Sequence, residues 1–362
     1  MMKYKLGEII ELNPRESIKK GNIARKIAMD DLGEFKRDIE SYSYSEYKGG
    51  TKFRNYDTLM ARITPCLENG KTSFVNILEE NEVAFGSTEY FVFRAKQDII
   101  NPYYLYYLVT TDKFREVAIK SMSGTSGRQR VQKDQILDFS VDLPSLEDQE
   151  KIMKPLKLID DKISLNTKLN TNLKLLKTAI FNNMFNSKLL NNLNGKLADI
   201  AKIQTGKRPI SRSSTYNNEN KYPIVGASKI MGYTNSYNID DSIITTGRVG
   251  THGIIQRFRE PVWISDNSFI FTSHYEDYLY EILKNRINYT SLNRGSTQPL
   301  ITQTDLKNID IYVPTDEEHR QFKTLIYPIT NIEFTLNNEQ HKLFKIKNLL
   351  LNKFFNSSKL TN

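Results

Sequence analysis

The chain has 362 residues, 39% hydrophobic and 26% charged, a balance that points to a globular protein with room for two or more domains. Lys and Arg outnumber Asp and Glu by 51 to 42, and the resulting +9 favours a polyanionic partner, because each neutralised phosphate releases condensed counterions. A single cysteine, Cys66, excludes an internal disulfide framework.

Taken in chain order, Met1-Met2-Lys3-Tyr4-Lys5-Leu6-Gly7-Glu8 meets an acid before any apolar run, so neither a signal peptide nor a membrane span is expected. With the lone thiol, this predicts a reducing, cytoplasmic setting. Short strands are predicted at 72–76 and 90–93, and a helix from Asn101-Pro102, where proline suits a first helical position. Pro144-Ser145-Leu146-Glu147-Asp148 starts a longer helix, with a hydroxyl to cap the free N–H groups and acids to complement the dipole. Its apolar residues Ile152, Leu156, Ile159 and Ile163, then Leu169, Leu173, Leu176 and Ile180, step by four and three, a coiled-coil seam interrupted by Asn166 and Asn170. Pro155 is predicted to split off a short leading helix.

Residues 191–195 read as a linker, followed by strands at 241–244 and 268–271. Pro314-Thr315-Asp316-Glu317-Glu318 repeats the helix start. Phe322, Ile326, Ile329, Ile332 and Leu336, then Leu343, Ile346 and Leu350, repeat the seam, with Asn337 and Asn338 interrupting it and Pro328 as a second break. One narrow seam on each of two similar helices is best satisfied if they pack on each other, antiparallel.

Those helices belong to a wider duplication. Lys5-Leu6-Gly7-Glu8-Ile9 matches Lys196-Leu197-Ala198-Asp199-Ile200, and Tyr104-Leu105-Tyr106 matches Tyr278-Leu279-Tyr280. Ser123-Gly124-Thr125-Ser126 matches Arg294-Gly295-Ser296-Thr297, and Val141-Asp142-Leu143-Pro144 matches Ile311-Tyr312-Val313-Pro314. The offset falls from 191 (Lys5 to Lys196) through 174 (Tyr104 to Tyr278) to 170 (Pro144 to Pro314), so the first variable part is 21 residues longer. Fixed ends therefore flank a drifted middle.

Domain, long helix, domain, long helix resembles the plan of type I restriction–modification specificity subunits over essentially the whole chain. The resemblance is carried by Lys5 to Leu12, by Leu143 to Gln149, by Thr246-Gly247-Arg248-Val249-Gly250-Thr251-His252-Gly253, and by Gly295 to Leu300. His319 stands where the usual glutamine would be. The resemblance implies an α+β fold with a pseudo-twofold internal repeat: two mixed α/β target-recognition domains at 1–144 and 191–314, and helical regions at 145–190 and 315–362 packed as an antiparallel coiled coil.

It further implies a non-catalytic subunit that binds double-stranded DNA at an asymmetric bipartite target, one half per domain, and holds two methyltransferase subunits, joined by two restriction subunits where present. S-adenosylmethionine would belong to the methyltransferase, and ATP and magnesium to the restriction subunit. A methyltransferase-only or type IIB-like system is the alternative, ahead of a self-contained methyltransferase or nuclease.

Sequence readout needs side chains with fixed donor and acceptor pairs, above all Arg for guanine and Asn or Gln for adenine. In the first domain the candidates are Lys48, Lys52, Arg54, Arg62, Asn69, Lys71, Ser87, Thr88, Arg128, Gln129 and Arg130. In the second they are Ser228, Lys229, Tyr233, Arg248, Thr251, His252, Asn267, Arg294, Thr297 and Gln298. The glycine-framed groups around Arg128 and Arg248 stand out, since glycine lets a backbone approach a ligand closely.

Catalytic strings are weak by comparison. Asn101-Pro102-Tyr103-Tyr104 lacks the second proline of an adenine methyltransferase motif and reads as a helix cap. Asp38 with Glu46-Tyr47-Lys48 fits a magnesium nuclease pattern only loosely. No phosphate-binding Gly-x-x-x-x-Gly-Lys loop is present, and His252, His274, His319 and His341 lack metal-site spacing.

Overall fold

The computed structural model describes residues 2–125, 127–294 and 299–356. The chain divides into two units: unit 1 is Met1–Lys168 with Asn337–Asn362, and unit 2 is Leu169–Leu336.

Unit 1 opens with β1 (Met2–Lys5), α1 (Leu6–Ile9) and β2 (Ile10–Leu12). Then come β3 (Ile23–Ile27), β4 (Ser43–Glu46), β5 (Thr51–Phe53), β6 (Thr58–Ala61), β7 (Thr72–Phe74), β8 (Ala84–Gly86) and β9 (Tyr90–Ala95). Next are α2 (Pro102–Thr110), α3 (Asp112–Lys120), α4 (Lys133–Leu137), β10 (Ser140–Leu143) and the first half of α5 (Leu146–Asn191). One antiparallel sheet has the order β2-β9-β6-β7; a mixed one has the order β4-β3-β8-β5, with β3 and β8 parallel. β9 shows why its sequence is continuously apolar. Tyr90 and Val92 face one core with Ile27, Phe53 and Leu59, while Phe91 and Phe93 face another with the helices α2 and α3. A strand covered on both faces has no polar side to alternate with. α2 is capped as its sequence suggests, with Asn101 Oδ1 accepting from the Tyr103 N–H at 2.8 Å.

Unit 2 contains the second half of α5, then β11 (Gly195–Lys196), α6 (Leu197–Ile200), β12 (Lys202–Thr205), β13 (Tyr222–Val225), β14 (Ile230–Thr234) and β15 (Ile243–Gly247). It continues with β16 (Gln256–Phe258), β17 (Trp263–Ile264), β18 (Ser268–Thr272), α7 (Glu276–Asn285), α8 (Gln303–Lys307), β19 (Asp310–Ile311) and the first part of α9 (Asp316–Leu351). Its sheets, β12-β18-β15-β16 and β14-β13-β17 with β13 and β17 parallel, reproduce the topology of unit 1 strand for strand except for β5. The closing pairs β1–β10 and β11–β19 are both antiparallel. The extra length of unit 1 falls mainly between β3 and β4, where residues 28–42 replace the short 226–229 turn of unit 2.

Within each unit the two long helices run antiparallel. In unit 1, Lys347 meets Asp160 at 2.7 Å and Asn166 donates to Glu339 at 2.6 Å. In unit 2, Lys177 pairs with Glu333 and Lys188 with Glu318. Ser145 and Thr315 cap as expected, accepting from the N–H groups of Asp148 and Glu318.

Two expectations are corrected. Pro155 and Pro328 lie inside unbroken helices, because one lost ladder bond, about 3 kcal/mol, is outweighed by the packing of Met153 and Leu156 beside the first and Phe322 and Ile326 beside the second. The seam is also rotated. Leu156, Ile163 and Leu336 are buried, and Ile152, Ile159, Leu173, Ile180, Ile329, Leu343 and Leu350 are half-buried, whereas Leu176 and Ile346 are exposed at 48% and 46%. The buried line instead takes in Asp160, Asn166, Lys177, Glu333 and Lys347. Paired charges occupy seam positions that a search for apolar residues passes over.

Candidate nucleic-acid interface

A turn follows the last residue of β6 and of β15, and the two turns are built alike. In unit 1, the Arg62 N–H donates to the Glu89 carbonyl at 3.0 Å and its carbonyl accepts from Val131 at 2.9 Å. In unit 2, the Arg248 N–H donates to the Asn267 carbonyl at 2.7 Å and its carbonyl accepts from Ile301 at 3.1 Å. Two residues further on, Thr64 donates to the Gln129 carbonyl and Gly250 to the Pro299 carbonyl, at 3.1 and 2.9 Å. Bridges Ile63 to Arg130 and Val249 to Leu300 complete the correspondence. Each unit thus fixes one arginine between a β-turn and a loop that leads to its next short helix, with the backbone held on both sides.

In unit 1 this gathers Arg62, Ser87, Thr88, Arg128, Gln129 and Arg130. The Ser87 Oγ accepts from the Glu89 N–H at 3.1 Å, and Glu89 receives both Arg62 and Arg130. Hydrogen bonds from Arg130, with Arg62 adding to them against the opposing effect of burial, hold the Glu89 carboxyl below the usual carboxylate range. Arg128 is exposed, and its guanidinium has no partner among the described residues.

The other candidates of unit 1 stand apart. Lys48 pairs with Glu46 at 3.1 Å, Lys52 lies over the Tyr47 ring, and Arg54 reaches Glu16 at 2.7 Å beside Arg94. Lys71, with only 14% of its side chain exposed, donates to the Met29 carbonyl at 2.8 Å and ties the 28–42 segment down. The Asn69 N–H closes a turn on Pro65.

In unit 2 the turn gathers Arg248, Thr251, His252, Asn267 and Arg294. The Arg248 Nη1 donates to the Asp266 carbonyl at 3.3 Å, His252 Nδ1 lies 3.1 Å from the Gly247 carbonyl, and Arg294 pairs with Asp305. Gly247 is required here, since a Cβ would lie 1.9 Å from the Thr251 carbonyl and 2.9 Å from the Ala227 Cβ. That approach also brings the 226–229 turn, with Ser228 and exposed Lys229, beside the arginine turn. Tyr233 sits on β14, its ring edge-on to Tyr216. Thr297 and Gln298 lie outside the described residues.

Sequence inspection missed Glu89 and the equivalence of Arg62 with Arg248. Their separation of 186 residues matches none of the offsets read from the repeat, so only the hydrogen-bond pattern aligns them.

A family model described as the type I restriction modification DNA specificity domain matches residues 1–175 and again 192–348. The chain is 36% identical over 106 residues to the type I restriction enzyme EcoAI specificity subunit of Escherichia coli, covering 29% of this chain and 18% of that protein. It is 33% identical over 133 residues to the HindI specificity subunit of Haemophilus influenzae, covering 36% and 28%. These matches therefore span less than a third of either relative's length. A longer match, 25% identical over 296 residues, covers 69% of this chain and 67% of the MjaIX specificity subunit of Methanocaldococcus jannaschii. In fold, the chain is similar to the crystal structure of the type I restriction–modification S subunit from M. genitalium, with a TM-score of 0.59 at 15% identity over 99% of this chain and 96% of that one.

Proposed function

The chain belongs to the type I restriction modification DNA specificity family, and we propose that it is the DNA-reading subunit of a type I restriction–modification complex. It binds an asymmetric bipartite target in double-stranded DNA, one half per unit. It holds two methyltransferase subunits and, where the complex also restricts, two restriction subunits. The chain itself is non-catalytic: S-adenosylmethionine is used by the methyltransferase, and ATP and magnesium by the restriction subunit.

The observation that carries this reading is the arginine turn built twice, around Arg62 and around Arg248, with the same backbone bonds and different flanking side chains. Equal frames suit equal tasks, and unlike side chains suit unlike half-sites. The domain limits follow the repeat, with the readers at 1–144 and 191–314 and the helical regions at 145–190 and 315–362.

The test is a gel shift of the chain with its methyltransferase on random and genomic duplexes at several salt concentrations. Binding should weaken steeply with salt, and Arg62→Ala or Arg248→Ala should each lower affinity for the methylated target about tenfold or more. Salt-insensitive or absent binding would contradict the assignment.

A further inference from the structure

At its arginine turn unit 1 holds two arginines on one carboxylate, Glu89, whereas among the described residues of unit 2 Asp305 holds Arg294 alone. Arg130 directs Nε and Nη2 at Glu89 Oε1, at 3.0 and 2.7 Å, and Arg62 Nε donates to Glu89 Oε2 at 3.2 Å. Side-chain exposures of 45%, 33% and 21% for Arg130, Arg62 and Glu89 leave the two guanidiniums reachable, with the carboxylate beneath them.

The joints leading to each guanidinium are also fixed. Arg130 and Ser123 exchange backbone hydrogen bonds in both directions, and the Arg62 guanidinium lies 5.5 Å from the Phe91 ring centre.

The edge that Arg130 uses matters. A guanidinium has five donors in a rigid fork. Occupying the Nε and Nη2 side leaves the end-on pair, Nη1 with the second hydrogen of Nη2, free for another bidentate acceptor. In DNA such an acceptor is guanine, whose O6 and N7 face the major groove. A carboxylate that holds the opposite edge fixes the direction of that fork before DNA arrives, and partly cancels the charge that would otherwise seek any phosphate. In unit 2 the equivalent position is Asn267, and Arg248 rests on the Asp266 carbonyl with no carboxylate behind it among the described residues.

We infer that Glu89 is a positioning residue for base readout by unit 1: it orients Arg130, with Arg62 beside it, so that the free fork meets a guanine of one half-site. This rests on the DNA-reading function proposed above.

The full chain, with its methyltransferase, is used to select from duplexes with a randomised core, and the recovered sequences are compared for wild type, Glu89→Gln, Arg130→Lys and Asn267→Ala. Wild type should return a two-part motif. Glu89→Gln and Arg130→Lys should each reduce the preference for one guanine at least tenfold, leave the other part unchanged, and leave binding to the unselected pool within about threefold. Asn267→Ala should alter only the other part. Glu89→Asp, which keeps the charge and withdraws it from the Arg130 edge, takes the place of the glutamine variant if that does not fold, with the same expected loss. The inference is overturned if Glu89→Gln returns the wild-type preference at every position, or if the variants weaken all positions equally as a merely structural role would. A wild-type chain that selects no motif overturns the DNA-reading function itself, and the inference with it.

Discussion

Replacing Asp160 with leucine removes the acceptor that holds two buried groups of unit 1. The Lys347 ammonium is 2.7 Å from Asp160 Oδ1 with side-chain exposures of 5% and 4%, and the buried Tyr107 hydroxyl donates to Oδ2 at 2.9 Å. Burial, with the Asp160 charge adding to it, pushes the Tyr107 phenol upward, so it stays a donor. In Asp160→Leu the ammonium is left 5.8 Å from the rings of Tyr106 and Tyr107 without its carboxylate. Breaking a buried pair from one side costs about 3–5 kcal/mol, and the orphaned hydroxyl adds about 1 kcal/mol. The double variant Asp160→Leu/Lys347→Met removes both charges and should recover about 2–4 kcal/mol of the summed single losses. Urea unfolding followed by far-ultraviolet circular dichroism gives the totals, and amide hydrogen exchange within 146–168 assigns the loss to unit 1. A single-variant cost below about 1 kcal/mol, or purely additive losses, would refute the claim that a buried charge pair fixes this helix contact.

Four further outcomes follow from the same structure. Burial alone would raise the Glu318 carboxyl, but hydrogen bonds from Lys188, Tyr312 and Thr315 overcome it and hold the pKa at about 2. Its contribution is therefore fully present above its ordinary value of 4.5 and lost as pH falls toward 2; fluorescence of Trp263, the chain's one tryptophan and a residue of unit 2, should show an acid destabilisation that Glu318→Gln lacks. His319 has no hydrogen-bond partner at either ring nitrogen among the described residues, while the corresponding Gln149 of unit 1 bonds Asn101, Ile99 and Pro144; His319→Gln should raise Tm by about 2–4 °C in calorimetry, at about 1 kcal/mol for one bond gained. Burial first, and then His274, also depresses the His319 pKa, so wild type should lose stability below about pH 6.5 and His319→Gln should not. Arg128→Ala should lower the slope of log affinity against log salt by about one without changing base preference.

The sequence made the repeat legible because its ends are constrained by the same local chemistry in both copies: a closing strand pair, a capped helix start and a common offset. It made the strands of both units legible where apolar runs are bounded by turns, as at Tyr90 and Ser268. The true line of helix contact was not legible, because Asp160, Lys177, Glu333 and Lys347 look like surface residues until their partners are in place. The arginine turns were half legible. Arg62 and Arg248 could be nominated by type, but Glu89 lies 27 residues from Arg62 and 41 from Arg130, and no local pattern brings the three together. Lys48, Arg54 and Lys71 are candidates by the same residue types, and the structure ties each to an acid of its own unit.

Two separate readers, each with its own arginine turn, imply a target in two independent parts. The most direct measurement maps methylated adenines across the genome of cells expressing this chain with its methyltransferase, for wild type, Arg62→Ala and Arg248→Ala. A two-part asymmetric motif, with each substitution relaxing only one part, is the predicted result. A continuous motif, or two substitutions that relax the same part, would contradict it.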